Sequence, residues 1–200
     1  MKQPFGVILA GGQATRMGGG DKGLLRLGQQ SILAHVIERL SPQVSDLALN
    51  ANGDAKRFSD IDLPVLADSI DGFAGPLAGV LAGLDWAAAH GADTIVTAAA
   101  DTPFFPGDLV PRLLLASEGM IHPLVLAATP DATRGRVRHP TFGLWPVALR
   151  DDLRRALDGG LRKVVMWTEQ HAGREALFPH ADAFFNINTP EDLTRAEDLI

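Results

Sequence analysis

The sequence predicts an α/β protein in which a mostly parallel, mixed sheet is covered by helices on both faces. Short apolar runs typical of strands alternate, along the first half of the chain, with stretches of helical periodicity. Alternating strand and helix units of this kind build a largely parallel sheet between two helical layers. The 200 residues, of which 46% are hydrophobic, are enough for one domain with a sizeable core. We therefore expect a single three-layer domain.

The strands and helices can be placed in chain order. Strand-like runs occur at residues 5–9, 46–50, 64–67 and 94–99. A first helix is expected over residues 32–40, whose apolar residues share one face: Ile32, Leu33, Val36, Ile37 and Leu40. A second helix is expected to begin at Pro76 and to run to about His90. Proline suits a first helical turn and Gly91 suits a helix end, which supports both boundaries.

The segment from Gly6 to Gly23 contains the most informative pattern. The apolar run from Val7 to Leu9 is followed at once by a glycine-rich turn that carries Arg16 and Lys22. Glycines let backbone N–H groups approach a phosphate closely, and the two cations add positive charge. The spacing fits neither a Walker loop nor a dinucleotide fingerprint. A flexible surface linker is the alternative, but a linker needs neither the strand nor the cations. The pattern predicts a binding loop for a nucleotide polyphosphate.

Polar or glycine residues follow each of the four predicted strands. They are Ala10 to Gly12, Asn50 with Asn52, Asp68, and Asp101. The carboxyl ends of parallel strands are where α/β sheets collect ligands. Each of these residue types is also a common turn former, so their coincidence at one rim of the sheet is what indicates a nucleotide site.

Asp101 is the strongest single candidate. It follows an apolar strand built from small residues and precedes Thr102 and Pro103, which stop further pairing. A carboxylate held there can bind Mg²⁺, which prefers one or two protein carboxylates together with phosphate oxygens and water. Alternatively, Asp101 caps a helix that starts near Pro106, or closes a turn through its side chain.

Composition restricts the class of partner. The formal net charge of −6 argues against nucleic acid or an anionic membrane, both of which select for basic faces. The chain has no cysteine, and no apolar run approaches the roughly 20 residues of a membrane span. The first strand begins too close to Met1 to leave room for a signal peptide, so a cytoplasmic protein is expected.

Seven short motifs, taken in chain order, closely resemble those of the molybdenum cofactor guanylyltransferases, the MobA family. They are Leu9 to Gly12, Arg16 to Gly19, Asp21 to Gly23, Gly75 to Gly79, Asp101 to Pro103, His139 with Pro140, and Asn186 to Leu193. The motifs extend over essentially the whole chain. The resemblance implies a Rossmann-like nucleotidyltransferase domain over residues 1–200, with a GTP-binding half at 1–105 and a molybdopterin-binding half at 106–200.

The reaction implied by the resemblance is transfer of GMP from GTP to the terminal phosphate of molybdopterin carrying molybdenum, with release of pyrophosphate. The implied nucleotide contacts are Leu9, Ala10, Gly11, Gly12, Lys22, Asn50, Asp68 and Asp101, and the implied cofactor is Mg²⁺ on Asp101. Lys22, Asp101 and Arg16 are expected to be catalytic, because two polyanions can react only when their charge is neutralised. No general base is expected, since the attacking phosphate is already ionised.

The second substrate is expected to contact residues of the carboxy-terminal half. The candidates are His139, Arg162, Lys163, Asn186 and Asn188, with Arg162 and Lys163 placed on a late helix. In an extended segment from Arg134 to Thr141, the three arginines would share one face and His139 would lie on the other. These arginines could wall an anionic pocket or form a solvated strand face. Thr189 with Pro190 and Asp192 predicts a capped helix start.

Three other functions compete with guanylyl transfer. A cytidylyltransferase of the same cofactor characteristically reads Leu-Ala-Ala-Gly at the loop, where this chain has Gly11 at the third position. A sugar-phosphate nucleotidyltransferase of the same fold is the second. The third is a non-catalytic GTP-binding or carrier module, which would not need both Lys22 and Asp101. Transient contacts with other proteins of cofactor biosynthesis and with apo-molybdoenzymes are also expected.

Overall fold

The computed structural model describes residues 2–11, 21–70 and 75–200, and within these ranges it contains nine strands and six α-helices. The strands are β1 (Phe5–Leu9), β2 (Arg26–Leu27), β3 (Gln30–Ser31), β4 (Leu47–Asn50), β5 (Val65–Leu66), β6 (Thr94–Ala99), β7 (Val125–Asp131), β8 (Gly135–Pro146) and β9 (Arg174–Leu177). The helices are α1 (Ile32–Leu40), α2 (Pro76–Ala89), α3 (Leu109–Ala116), α4 (Arg150–Asp158), α5 (Val164–Gln170) and α6 (Pro190–Glu197).

Seven strands form one sheet in the order β5-β4-β1-β6-β8-β7-β9, while β2 and β3 form a separate small hairpin. The pairings of β5, β4, β1 and β6 are parallel. Strand β8 is antiparallel to both of its neighbours, and β9 is parallel to β7. The sheet is therefore mixed and mostly parallel, which confirms the predicted fold class.

Two hydrophobic clusters cover the two faces of the sheet. Side chains of α1 and α3 pack on one face, and side chains of α2, α4 and α5 pack on the other. Strand β1 contributes to both, since Ile8 belongs to the first cluster and Val7 and Leu9 belong to the second. This alternation is the period of two expected for a strand buried on both faces. The arrangement has three layers, as predicted.

Several predicted boundaries are confirmed to the residue. The first and fourth predicted strands match β1 and β6, and the helix over residues 32–40 matches α1. Helix α2 begins at Pro76 and ends at Ala89, with Gly91 in the left-handed conformation at φ +73°. Helix α6 begins with the expected capping box, in which Thr189 and Asp192 each accept a hydrogen bond from the other's backbone N–H.

Other boundaries differ from the prediction. Strands β4 and β5 are shorter than the predicted runs, and the helix expected near Pro106 begins at Leu109. Its N-terminal flanking residue is Asp108, so Asp101 does not cap a helix. None of the helices in the described ranges is long and apolar enough to cross a membrane.

Candidate nucleotide-binding site

The chain reverses its direction of winding between the neighbouring strands β1 and β6. From β1 the chain continues to β4 on one side, and from β6 it continues to strands on the other side. The ends of three strands are level here, because Leu9 is paired with both Asn50 and Ala99. In open α/β sheets a ligand binds in the crevice outside such a point.

A cleft of about 360 Å³ lies at this crevice. Its walls include the predicted nucleotide contacts Leu9, Gly11, Asn50, Asp68 and Asp101, and also Asn52, Gly75, Pro76, Ala99, Thr141 and Asn186. Strand ends β1, β4 and β6 thus meet the start of α2 and two segments of the carboxy-terminal half. The structure brings together residues that the sequence places far apart.

One group of polar side chains, the Asp101 cluster, consists of Lys22, Asp101, Asn186 and Asn188. Lys22 Nζ lies 3.8 Å from Asp101 Oδ2 and donates a hydrogen bond of 2.5 Å to Asn188 Oδ1. Asn186 hydrogen-bonds the Asp101 side chain. Burial raises the pKa of the Asp101 carboxyl, and the Lys22 ammonium partly offsets the rise. The cluster therefore holds a desolvated carboxylate beside an ammonium.

The segment that carries Asn186 and Asn188 is not a strand, because it pairs with no strand of the sheet. Ile187 holds it in place: its backbone N–H donates to the Asp101 carbonyl at 2.9 Å, and its side chain is fully buried. The asparagines on either side of Ile187 both reach the Asp101 cluster. Both therefore lie at one place in the fold, and their contact with the second substrate stays a prediction.

A second group, the Asp68 cluster, consists of Asn50, Asn52 and Asp68. Asn50 Nδ2 donates to Asp68 Oδ1 at 2.9 Å, and Asn52 Nδ2 donates to Asp68 Oδ2 at 2.7 Å. The backbone N–H of Asp68 donates in return to Asn52 Oδ1 at 2.8 Å. Two neutral amides thus orient this carboxylate, whereas the carboxylate of the Asp101 cluster has a cation beside it.

Helix α2 passes directly over Asn50 because it has glycine at residue 79. A Cβ on Gly79 would lie 2.1 Å from Asn50 Oδ1 and 3.0 Å from Leu9 Cδ2. A larger residue would have to displace Asn50 or the helix. Gly79 therefore allows the helix to lie against the Asp68 cluster.

The glycine-rich loop is only partly within the described ranges. Leu9 and Gly11 line the cleft, and the backbone N–H of Ala10 donates to the Asn50 carbonyl at 2.9 Å. Among the described residues, none has an atom within 4 Å of the position of a Cβ on Gly11. The predicted residues Gly12 and Arg16 lie outside the described residues.

A bulge in β8 directs one side chain into the cleft. Leu126 pairs with Gly143, but the next residue, Ala127, pairs with His139, so the residues between His139 and Gly143 lie outside the ladder. Thr141 belongs to this bulged segment and lines the cleft.

His139 is placed by other contacts. Its Nε2 lies 2.9 Å from Thr129 Oγ1, and its ring stacks on Phe184 with the ring centroids 4.4 Å apart. Burial lowers the pKa of His139, so the imidazole is neutral near pH 7. It is absent from the described residues that line the cleft, although the adjacent bulge is present.

The arginines of β8 form ion pairs on the sheet. Arg138 bonds both Glu175, at 2.5 Å, and Glu169, at 2.7 Å, while Arg136 lies 3.3 Å from Glu175. Arg134 precedes the strand, in the turn after β7. The shared partner confirms that Arg136 and Arg138 lie on one face, and their pairing supports the interpretation as a solvated strand face.

The helical placement of Arg162 and Lys163 is wrong. Both lie in the connection between α4 and α5, and Lys163 immediately precedes α5. The glycine pair at the end of α4 stops that helix first, with Gly160 at φ +91°. The Arg162 carbonyl lies 4.0 Å from the position of a Cβ on Gly75, which places this connection near the start of α2.

The described walls of the cleft offer few protein ligands for the Mg²⁺ that the sequence predicts. The described part of the chain contains no group of three or more His, Cys, Asp or Glu side chains that could hold a metal ion. Mg²⁺ does not need such a group, because substrate phosphates and water supply most of its ligands. The Asp101 carboxylate, on the cleft wall beside the Asn186 amide, provides the kind of oxygen ligand that Mg²⁺ prefers.

Comparison with known proteins identifies the family. The MobA-like NTP transferase domain matches residues 6–173. The chain is 53% identical to the molybdenum cofactor guanylyltransferase of Cereibacter sphaeroides, over 98% of this chain and 96% of that protein. This chain belongs to the MobA family. A second relative of the same name, from Mesorhizobium japonicum, is 51% identical over 98% of this chain and 95% of its own.

The fold of this MobA-family protein recurs in solved structures. Molybdopterin-guanine dinucleotide biosynthesis protein A of Archaeoglobus fulgidus superposes with a TM-score of 0.74 at 24% identity, covering 98% of this chain and 97% of its own. A 4-diphosphocytidyl-2C-methyl-D-erythritolsynthase from Anaerococcus prevotii gives 0.74 at 14% identity, covering 99% and 96%. At these identities the likeness concerns the fold alone.

In this MobA-family protein, sequence reasoning missed the roles of Thr141 on the cleft wall and of Gly79 against Asn50. Thr141 gave no signal, because the bulge that exposes it depends on register with β7. Gly79 was quoted within a motif, but its steric role depends on the approach of α2 to Asn50. Asn52 was predicted only as a residue at a strand end, and its hydrogen bond to Asp68 makes it part of the Asp68 cluster.

Proposed function

We propose that this nucleotidyltransferase transfers GMP from GTP to the terminal phosphate of Mo-molybdopterin, giving the guanine dinucleotide form of the cofactor and pyrophosphate. The observation that carries the proposal is the cleft outside the ends of β1 and β6, with the Asp101 carboxylate on its wall and the Lys22 ammonium 3.8 Å from that carboxylate. The Asp68 cluster lies on the same cleft. The 1–105 half supplies most of the nucleotide contacts, and the 106–200 half supplies the second substrate's contacts.

The guanosine moiety lies between Gly11 and the Asp68 cluster. A carboxylate oriented by two amides presents acceptor oxygens to the N–H and O–H donors of a nucleoside. The described residues leave open space around Gly11 for the ligand, whereas an alanine there would project its methyl group toward it. Gly11 is therefore the residue of this wall best placed to influence the choice of base.

The triphosphate lies beside the Asp101 cluster and the glycine-rich segment, with Leu9, Ala10, Gly11 and Gly12 as its proposed contacts there. Lys22 exchanges its bond with Asn188 for the phosphates, and its ammonium neutralises charge on the α-phosphate and the departing pyrophosphate. Arg16 adds a further cation from the loop. Asp101 holds Mg²⁺, with Asn186 adjacent, and the ion when bound supplies charge neutralisation and alignment of the phosphates.

The pterin substrate enters from the side formed by Thr141, Asn186 and Asn188. The asparagine side chains offer both donors and acceptors to its phosphate and pterin groups. His139 holds the underlying segment by stacking on Phe184, and Arg162 and Lys163 add positive charge near the start of α2. The reaction takes place in the cytoplasm, with transient transfer of the cofactor to and from other proteins of its biosynthesis and to apo-molybdoenzymes.

Isothermal titration with GTP, CTP, ATP and UTP, each with Mg²⁺, tests the nucleotide assignment. GTP is expected to bind most tightly, and a preference for any other nucleotide would contradict it. The matched variant is Gly11→Ala, whose added Cβ meets no atom of the described residues within 4 Å and which is expected to weaken GTP binding while the melting temperature stays unchanged. Gly107→Ala, which adds a Cβ with equally open surroundings among the described residues, is the control outside the cleft.

A further inference from the structure

Arg57 connects Asp21, the residue before Lys22, with Asn52 on the cleft wall, and it does not belong to the predicted site. Its Nε donates a short hydrogen bond to Asp21 Oδ2. Its Nη2 donates to the Asn52 carbonyl at 2.5 Å, and its Nη1 donates to the Asp54 carbonyl at 2.7 Å. Asp21 lies directly before Lys22 in sequence, and Asn52 is a member of the Asp68 cluster. One guanidinium therefore bonds both Asp21, next to the proposed phosphate contact Lys22, and Asn52, beside the proposed nucleoside contact Asp68.

The local structure is built around this guanidinium. A one-turn 3-10 helix, Ala55–Phe58, carries Arg57, and Asp54 caps it by accepting a hydrogen bond from Lys56 N–H. The Phe58 side chain is 2% exposed and anchors the turn in the core. Gly53 has φ +86°, and a Cβ on it would lie 3.2 Å from Arg57 Nη1. Glycine at residue 53 thus lets the chain fold closely over the arginine.

Charge supports the same role. The Arg57 guanidinium and the Asp21 carboxylate are both largely shielded, with side chains 28% and 19% exposed. Their charges compensate each other, and the neighbouring Lys22 ammonium pairs with Asp101 and not with Asp21. Arginine suits this connection better than lysine does. Its planar guanidinium holds several N–H donors in fixed directions and bonds one carboxylate and two carbonyls at once.

We propose that Arg57 is a positioning residue of the nucleotide site: through Asp21 it fixes the end of the glycine-rich loop, and through the Asn52 carbonyl it fixes the Asp68 cluster. The proposal rests on the proposed function for its choice of ligand. It assigns Arg57 no contact with the nucleotide itself.

The test compares Arg57→Ala, Arg57→Lys, Asp21→Asn and the double variant Asp21→Asn with Arg57→Ala. Titration of GTP with Mg²⁺ is expected to show about tenfold weaker binding for Arg57→Ala, the effect of losing one charge-assisted connection. Lysine is expected to recover only part of this loss. KM for GTP should rise similarly, while kcat changes less than about threefold.

The double variant decides between positioning and direct contact. If Arg57 acts through Asp21, the two single effects overlap and the double variant binds GTP about as weakly as Arg57→Ala. Fully additive effects would overturn the proposal, as would GTP affinity in Arg57→Ala equal to that of the wild type. If Arg57→Ala does not fold, the double variant Asp21→Asn with Arg57→Lys is compared with its two single variants in the same way.

Arg112→Ala is the matched control, because Arg112 pairs with Asp108 through the same guanidinium chemistry on an exposed helix. It should leave GTP affinity and KM unchanged. Failure of the proposed function is distinguished by the wild type: if it binds GTP with Mg²⁺ but transfers no GMP, the reaction assignment fails, whereas the titrations still test the role of Arg57.

Discussion

The two polar clusters of the cleft stabilise their carboxylates in different ways. In the Asp68 cluster, each carboxylate oxygen accepts a hydrogen bond from one asparagine amide, and no cation is involved in these bonds. In the Asp101 cluster, the carboxylate is desolvated and its cation lies 3.8 Å away, bonded instead to Asn188. In the proposed function, the first cluster is already arranged to recognise the nucleoside. The charges of the second would rearrange around the phosphates, where the proposed chemistry occurs.

The largest effect is expected from Asp101→Asn. The substitution keeps the size of the side chain but replaces one acceptor oxygen by an amide nitrogen and removes the charge proposed to hold Mg²⁺, so kcat for GMP transfer should fall about 10²- to 10³-fold. Steady-state kinetics with saturating Mg²⁺ measures it. Asp108→Asn, on the exposed start of α3, is the matched control and should keep full turnover. Normal turnover in Asp101→Asn would contradict the assignment of catalysis to the Asp101 cluster and of nucleoside binding to the Asp68 cluster.

A smaller effect, on binding and not on turnover, is expected from Asp68→Asn. An amide group in place of one carboxylate oxygen would face a donor nitrogen of Asn50 or Asn52, leaving a polar contact unsatisfied. The dissociation constant for GTP should rise about tenfold or more, on the order of 1–3 kcal/mol. Titration calorimetry measures the change. An effect confined to kcat would reverse the roles assigned to the two clusters.

Gly79→Ala should damage the Asp68 cluster through packing. The added Cβ would collide with Asn50 Oδ1, so the free energy of unfolding should fall by about 1–3 kcal/mol and GTP binding should weaken as well. Urea unfolding and nucleotide titration measure the two effects. Gly107→Ala, with open space around its Cβ, is the control and should change neither.

The raised pKa of Asp101 predicts how stability depends on pH. Burial makes the native state hold this proton more tightly than the unfolded chain does. The wild type should therefore lose stability relative to Asp101→Asn as pH rises from the ordinary value of the carboxyl through its raised pKa, and no further loss should follow above it. Thermal unfolding in metal-free, nucleotide-free buffer measures the difference. A wild type that gains stability relative to the variant over this range would contradict the sign.

The smallest effect is expected from Arg136→Ala. Its ion pair with Glu175 is exposed, so its loss should change the free energy of unfolding by no more than about 0.5 kcal/mol and leave turnover unchanged. Chemical denaturation and steady-state kinetics check this. A large rise in KM for the pterin substrate, with KM for GTP unchanged, would instead show that the arginines of β8 line the pterin pocket.

The first half of the chain could be predicted closely from sequence. Strands β1 and β6 are short apolar runs buried on both faces, and their polar end residues meet because parallel strands align their carboxyl ends. Local signals also identified α1 and the capping box of α6, since periodicity and capping depend on neighbouring residues.

The second half depends on tertiary contacts that no local pattern records. The bond from Lys22 to Asn188 joins residues 166 positions apart, and Thr141 enters the cleft only because the ladder of β8 skips residues. Arg162 and Lys163 were misplaced because a basic pair gives no helix boundary, whereas the preceding glycines do. The hydrogen bonds from Arg57 to Asp21 and to the Asn52 carbonyl likewise depend on how the turn after β4 folds toward Asp21.

The most direct test of the central claim is a transfer assay with purified protein, Mo-molybdopterin, Mg²⁺ and α-labelled nucleotide. With GTP, the label should appear in the dinucleotide form of the cofactor with one pyrophosphate released per transfer, and CTP should replace it poorly. Transfer of label from CTP in preference to GTP, or release of pyrophosphate without labelled cofactor, would contradict the account.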